Sequence, residues 1–455
     1  MNAEIIAKKF LDSNGIFRFW RGRFYHYKDN YYSLVAPWNK EDDMDVIITK
    51  YLIKNIDQPN VTKSSVNNIL LCVKAISRID VLANNWIDIE IEGETCCFNN
   101  GLLHKYPNGS EVLTAHSPNF FTLNKLPYDY DKDAKCPRWL QYLNETMESD
   151  PGRIQLLQQW CKYVLSNDVP TKFLILHGDA GTGKDTFINV LTRLVGTENV
   201  SNEPLSEFGN RFSLINTLDK KLNAITESSK ELGKYDEERL KAYTGGGRMS
   251  FEPKYGGKFS AFPTAKVMMA TNVLPRFQDK TNALWQRMRF CRFDVPFRDT
   301  EREDTGLAEK LYLELSGIYN WAQKADISKG IINPETSKIC IQEYKDTTNP
   351  AGIFLKEYYE YNKFSSLPIQ KVYDAYVAWC DDNGHKALNS INFGYEVKRA
   401  FPKVERQQKH RNGERPYDYE GLKRISDTDY VDVHARPSVL AMAKSHASVE
   451  KEIEI

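Results

Sequence analysis

The segment from Phe173 to Leu194 constrains this chain more than any other. Phe173-Leu174-Ile175-Leu176 is a short apolar run with the character of a buried strand. Gly178-Asp179-Ala180-Gly181-Thr182-Gly183-Lys184 follows directly, and Phe187, Val190, Leu191 and Leu194 then mark one face of a helix. Strand, glycine-rich loop, lysine and helix in this order predict a phosphate-binding loop. Glycines let consecutive backbone N–H groups curl round an anion without Cβ clashes, and the helix N-terminus adds a favourable dipole. Lys184 brings a compact positive charge to the β- and γ-phosphates.

The residue after the lysine departs from the usual pattern. A Ser or Thr there ligates Mg²⁺ through its hydroxyl, but this chain has Asp185 followed by Thr186. A carboxylate is a good hard ligand for Mg²⁺, yet it adds negative charge beside the β-phosphate. Either Asp185 serves the metal or Thr186 substitutes for it, and the sequence leaves both open.

A phosphate loop alone does not separate kinases, GTPases and motors. Leu222-Asn-Ala-Ile225-Thr226-Glu227 reads as a strand ending in an acid, where a motor places the carboxylate that orients Mg²⁺ or water. Phe251-Glu-Pro-Lys254-Tyr-Gly256-Gly257-Lys258-Phe259 reads as a hairpin with lysines beside its tip, suited to gripping single-stranded DNA without sequence preference. Lys266 to Thr271 is a further buried strand, ending at Asn272, whose amide can hydrogen-bond a γ-phosphate or an attacking water. Trp285-Gln-Arg287-Met-Arg289-Phe-Cys-Arg292 sets three arginines among apolar anchors, and an arginine supplied in trans can stabilise a transferring phosphoryl group.

Around this centre the pattern suggests a division of the 455 residues. Residues 1–100 read as an α+β region, in which the aromatic run at 16–36 breaks at Arg21-Gly22 and Asp29-Asn30 like a small β-meander. Its rings fit a small core better than a base-stacking surface. Residues 101–166 read as helical, with Leu140, Leu143 and Met147, then Ile154, Leu157, Trp160 and Val164, on the apolar faces. The α/β pattern holds from 167 to 330. A polar connector at 331–350, a compact module at 351–425 and a loose tail at 426–455 complete the chain. Formal net charge is zero, so a uniformly basic surface is excluded, but Glu396 to Arg424 carries nine Lys/Arg against five Asp/Glu. Lys398, Arg399 and Arg411 in that stretch are candidate contacts to duplex phosphates. Eight cysteines without a ligand spacing predict free thiols, and no apolar stretch approaches the length of a membrane span. No membrane partner and a cytoplasmic place in the host cell are the corresponding expectations.

Together these segments resemble the helicase part of the phage/plasmid primase-helicase family, which includes the poxvirus primase-helicase. The resemblance rests on Gly178 to Lys184, Thr226-Glu227, Lys241 to Gly247, Lys254-Tyr255, Ala270-Thr271-Asn272 with Pro275, and Trp285-Gln286-Arg287. Upstream, Phe98 to Leu103, Leu126 to Asp131 and Cys136-Pro137 look like the region that precedes the helicase in that family. It implies an α/β fold: a P-loop, AAA+-like superfamily 3 helicase core with a helical N-terminal region and a C-terminal winged-helix domain. By that resemblance Lys184 is the Walker A lysine, Glu227 the Walker B acid, Asn272 the sensor and Arg287 the arginine finger. Lys254 and Lys258 then belong to a DNA-tracking hairpin, and Asp185 and Glu227 are the candidate partners of Mg²⁺. ATP and Mg²⁺ are the implied ligands. Single-stranded and duplex DNA are the implied partners, with a homohexameric ring moving 3′→5′ and room for a separate primase.

Three other readings compete. A full primase-helicase needs a catalytic primase domain, for which about 100 residues ahead of the helicase-like part are too few. A P-loop kinase accommodates Gly-Lys-Asp-Thr but has no use for the hairpin, the Asn-ended strand or a distal basic module. A DNA-binding scaffold with a decayed motor is the reading that Asp185 supports.

Overall fold

The computed structural model describes residues 2–35, 43–55, 61–226, 232–254, 257–275, 277, 282–410 and 415–425. Its contacts divide the chain into two units, Met1–Ile341 and Gln342–Ile455.

The first unit opens with α1 (Ala3–Asn14), the antiparallel meander β1 (Phe17–Trp20), β2 (Arg23–Lys28) and β3 (Tyr31–Leu34), then α2 (Met44–Asn55) and α3 (Lys63–Ser77). The meander turns at the expected pairs, because Arg21, Gly22, Asp29 and Asn30 all take positive φ, as two-residue hairpin turns require. Phe17, Trp20, Phe24, Tyr25 and Tyr32 are buried, so the aromatic run does build core. Five short strands follow: β4 (Asn85–Trp86), β5 (Glu94–Phe98), β6 (Gly101–Lys105), β7 (Glu111–Thr114) and β8 (Phe120–Phe121). The β5–β6 hairpin, with Phe98 opposite Gly101, runs across the boundary expected at residue 100. Residues 101–136, expected as the start of a helical segment, are therefore strand and loop, and the helices of that segment begin only at Pro137.

From there come α4 (Pro137–Thr146), α5 (Pro151–Leu165), β9 (Phe173–His177), α6 (Lys184–Val195), β10 (Val200–Ser201), β11 (Leu222–Ile225), α7 (Lys234–Tyr243), the β12 (Met249–Phe251)–β13 (Phe259–Ala261) hairpin, β14 (Lys266–Thr271), α8 (Ala283–Arg287), β15 (Met288–Arg292), α9 (Leu307–Tyr312) and α10 (Leu315–Gln323). Five strands form one parallel sheet in the order β10-β11-β14-β9-β15. Both faces are covered, which is why β9, β11 and β14 are buried along their length without alternation, Asn223 and Lys266 included. Leu174, Leu176, Ala224, Met268 and Ala270 meet Phe187, Leu191 and Leu194 of α6 and Leu156, Leu157 and Trp160 of α5 in one core. On α4 the inward face is Trp139, Tyr142, Leu143 and Met147, whereas Leu140 is exposed. Leu143 and Met147 are buried as expected, while Trp139 and Tyr142 take the place expected of Leu140.

An amide cluster welds the N-terminal region to the sheet. Asn124 Nδ2 donates to Asn199 Oδ1 at 2.9 Å and to the carbonyl of Asp219 at 3.0 Å. Asn84 Nδ2 reaches Asn124 and Asn167, and Arg21, stacked 4.0 Å over Trp20, pairs with Asp219 at 3.2 Å. The expected connector at 331–350 is instead largely helical, as α11 (Glu335–Thr348). Ser337, Ile341 and Tyr344 are its buried positions, a helical spacing that its polar composition concealed.

The second unit holds α12 (Pro350–Tyr358), β16 (Tyr359–Pro368), α13 (Ile369–Asp382), α14 (Ser390–Ala400), β17 (Glu405–Gln408) and β18 (Tyr417–Arg424). Its antiparallel sheet runs β16-β18-β17, and Leu355, Tyr376, Phe393, Val397 and Leu422 form its core. Residues 411–414 and the tail expected at 426–455 lie outside the described residues.

Candidate functional site: the phosphate loop and the strand ends around it

The loop Gly178–Gly183 leaves the carboxyl end of β9 and enters α6 through Gly183, whose φ of +93° no L side chain readily adopts. Two other glycines are required by close approach. A Cβ on Gly178 would stand 2.0 Å from the carbonyl oxygen of Phe293, and one on Gly181, at φ +80°, 2.5 Å from Cβ of Arg298. The neighbour in both cases is a strap, residues 293–304, that follows β15. Its amides fix the loop: Phe293 N donates to the carbonyl of His177 at 2.8 Å, and Phe297 N and Arg298 N to that of Gly181 at 3.0 and 3.3 Å. Tyr142 of α4 donates its hydroxyl to the Gly183 carbonyl at 2.8 Å. These bonds hold the Gly181 and Gly183 carbonyls, and the loop runs into the N-terminus of α6, a position suited to an anion nest.

Lys184 is buried, and its ammonium donates to the carbonyls of Gly178 at 2.7 Å and Asp179 at 2.5 Å and to Thr182 Oγ1 at 3.3 Å. Burial lowers its pKa below the usual lysine value, against the pull of Asp185 and Asp179. These neutral acceptors are what a phosphate would displace. Asp179 and Ala180 are exposed on the loop's outer turn. Asp185 is exposed and Thr186 half-buried, and both line a cavity of about 190 Å³ beside Gly183 and Lys184.

Register brings the other strand ends to the same edge. Thr271 pairs with His177, so Asn272 stands level with Gly178, exposed, one strand away from the loop. His177 hydrogen-bonds the Asn272 backbone; desolvation, then Arg292 and Lys184, lower its pKa. Ile225 pairs with Met269, which sets the end of β11 on the far side of β14. Glu227, expected there as the acid, lies outside the described residues.

Arg287 is elsewhere. Met288 pairs with Phe173, at the opposite end of β9 from the loop, a strand length of about 13–17 Å. Its guanidinium donates to the carbonyl of Lys241 at 2.5 Å, against the last turn of α7. Arg289 is buried and saturated, donating to the carbonyls of Ile331 (2.7 and 3.0 Å), Met288 and Gln286.

The β12–β13 hairpin forms with Phe251 opposite Phe259. Lys254 and Lys258 flank its tip and are exposed, while Tyr255 and Gly256 lie outside the described residues. Lys258 is 3.7 Å from the buried Glu252, which also accepts from Arg211, so this lysine is partly neutralised beside the tip. In the second unit Lys398 donates to the carbonyls of Pro402 at 2.8 Å and Val404 at 2.9 Å, and Arg399 is 3.5 Å from Glu396. Arg411 lies outside the described residues. Ile391 and Tyr395, four apart on α14, are exposed, an apolar pair on a helix that otherwise ends in cations.

The strap and α4 carry what sequence reasoning missed. Arg138, Tyr142, Arg298 and Arg302 line the cavity with Lys184, and Arg138 ties α4 to the strap through Asp304 at 3.5 Å. Nothing local marks Arg298; only the pairing of β15 with β9 brings it to the loop. Among the described residues no cluster of His, Cys, Asp and Glu fits a metal ion, and no helix is long and apolar enough to cross a membrane.

Comparison with known proteins divides the chain in three. Residues 3–148 match the family model described as D5 N terminal like, and residues 176–289 a family of unknown function, DUF5906. Residues 348–426 match the RFX DNA-binding domain. DNA-binding protein RFX7 of Xenopus laevis is 37% identical over 60 residues, 13% of this chain and 4% of that protein's length. The apo structure of NrS-1 C terminal region (305-718) superposes with a TM-score of 0.55 at 13% identity, covering 92% of this chain and 100% of that one. A second apo structure of that region, its A form, gives 0.54 at 12% identity, over 92% and 99%. At these identities the likeness shows a shared fold, which spans nearly the whole chain.

Proposed function

We propose that this chain is an ATP-hydrolysing, ring-forming DNA helicase of the superfamily 3 type that serves replication of a phage, plasmid or mobile genetic island. The observation that carries this reading is the strand order β10-β11-β14-β9-β15. It sets β14, which ends just before Asn272, between β9 with its phosphate loop and β11, so the Asn272 amide stands one strand away from the loop. That placement suits a group that reports the γ-phosphate to the body of the motor. The D5-like match upstream and the RFX-like match downstream favour a replication protein with its own duplex-binding unit over a small-molecule kinase.

In this reading the loop amides and Lys184 hold the β- and γ-phosphates, and Asp185 or Thr186 with Glu227 would hold Mg²⁺. The fit rests on the glycine loop running into α6 with Lys184 beside it, a path that a Cβ at Gly178 or Gly181 would block by meeting the strap. The metal supplies charge neutralisation of the phosphates. Glu227 orients the attacking water, Asn272 holds the γ-phosphate end, and Arg287 of a neighbouring subunit stabilises the charge that develops on the transferring group. Lys254 and Lys258 grip the strand, and the second unit binds duplex through Lys398, Arg399 and Arg411. The test is ATP turnover with and without single-stranded DNA, together with unwinding of 3′- and 5′-tailed duplexes. DNA-stimulated turnover and unwinding of the 3′-tailed substrate are expected; turnover indifferent to DNA would reject the helicase reading.

A further inference from the structure

We infer that Arg298 is a phosphate ligand for the nucleotide bound by its own chain, an inference that rests on the nucleotide-binding reading above. Three cations line the cavity beside Lys184, and their surroundings separate them. Arg138 faces Glu145 and Asp304, each at 3.5 Å, and so holds α4 and the strap together. Arg302 lies 5.3 Å over the ring of Phe297, with its guanidinium near the carbonyl of Pro296. Arg298 forms no ion pair among the described residues, and its Nε lies 3.5 Å from where a Cβ of Gly181 would stand.

The position of Arg298 is imposed by the backbone. Its own N–H and that of Phe297 bond the Gly181 carbonyl, so the strap cannot slide along the loop without breaking both. The loop glycine is bare on that side because Arg298 Cβ occupies the space. A guanidinium anchored beside an anion nest, without an acid to neutralise it, is matched by phosphate oxygens, to which its planar fork donates two parallel hydrogen bonds. Arg287 stands at the other end of β9 from its own loop, whereas Arg298 stands against it. The two arginines thus divide one phosphate chain between subunits, Arg298 in cis and Arg287 in trans.

The test uses the full chain, ATPγS with Mg²⁺ as probe, and four variants. Arg298→Ala is expected to weaken ATPγS binding about tenfold or more, with the thermal midpoint and binding of a thymidine oligomer unchanged. Arg298→Lys should recover part of the affinity, since it keeps the charge and loses the fork. Mixing Arg298→Ala chains with Lys184→Ala chains should restore no hydrolysis, because no chain then holds both groups, whereas Arg287→Ala mixed with Lys184→Ala should. ATPγS affinity of Arg298→Ala within twofold of wild type, beside a clear loss in Lys184→Ala, would overturn the assignment and leave the nucleotide site standing. Rescue in the Arg298/Lys184 mixture would overturn the cis placement. A lowered thermal midpoint with no recovery in Arg298→Lys would mark a structural residue and overturn it equally. Absence of ATPγS binding by the wild-type chain would remove the nucleotide reading and this assignment with it.

Discussion

Arg287 and Arg289 are two positions apart, and burial gives them different duties. Arg289 spends its guanidinium on carbonyls around the start of β15, so Arg289→Ala strands those acceptors in the interior. A stability loss of about 2–4 kcal/mol is expected, read as a lower chemical-denaturation midpoint. Arg287 is half-buried and donates to the Lys241 carbonyl, and its removal should leave the fold in place. On the helicase reading Arg287→Ala lowers turnover by about 10³ or more while ATPγS still binds. Unchanged turnover in that variant would reject Arg287 as the finger. Lys184→Ala should abolish turnover with little change in stability, since the bonds it loses are to carbonyls that water can reach once the side chain is gone; turnover within a few-fold of wild type would sink the phosphate-loop assignment.

Among the elements, β14 carries a cation where a parallel strand is expected to be apolar. Lys266 is buried at its start, donating to the Ser166 carbonyl at 3.0 Å and lying 5.2 Å over the ring of Tyr163. Desolvation, then Lys221, push its pKa down to about 7. A base with a depressed folded pKa binds fewer protons folded than unfolded, so its contribution to stability rises as pH climbs from about 7 towards the ordinary lysine value. Lys266→Met should flatten that rise in the thermal midpoint between pH 7 and 10; an unaltered slope would show that the buried ammonium does not titrate there. Elements also show where sequence was legible. The phosphate loop, the β1–β3 turns and the continuous runs of β9, β11 and β14 are local patterns, and each could be read without a partner. On α4 the reading of Leu143 and Met147 as core is right, but Leu140 is exposed because Trp139 and Tyr142 fill the core beside them. Likewise α11 hid behind polar residues, since a buried Ser337 carries no apolar signal, and Glu227 was legible as a strand end but lies outside the described residues.

At the scale of the whole molecule, the strap shows what no single segment announces: residues 293–304 reach the loop only because β15 pairs with β9. The second unit offers a separable test. Ending the chain after Pro350 should keep DNA-stimulated ATP turnover and abolish duplex binding at about 150 mM salt. Equal duplex affinity in the shortened chain would remove DNA recognition from the second unit. The distance between Arg287 and its own phosphate loop has a further consequence, in arithmetic. If every working centre borrows one arginine from next door, a lone chain has none complete, an open row of chains leaves one incomplete at its end, and a closed circle leaves none. Output per chain should therefore fall away on dilution more steeply than the number of bound nucleotides does, so that the protein idles when scarce and runs only where enough copies have gathered on DNA.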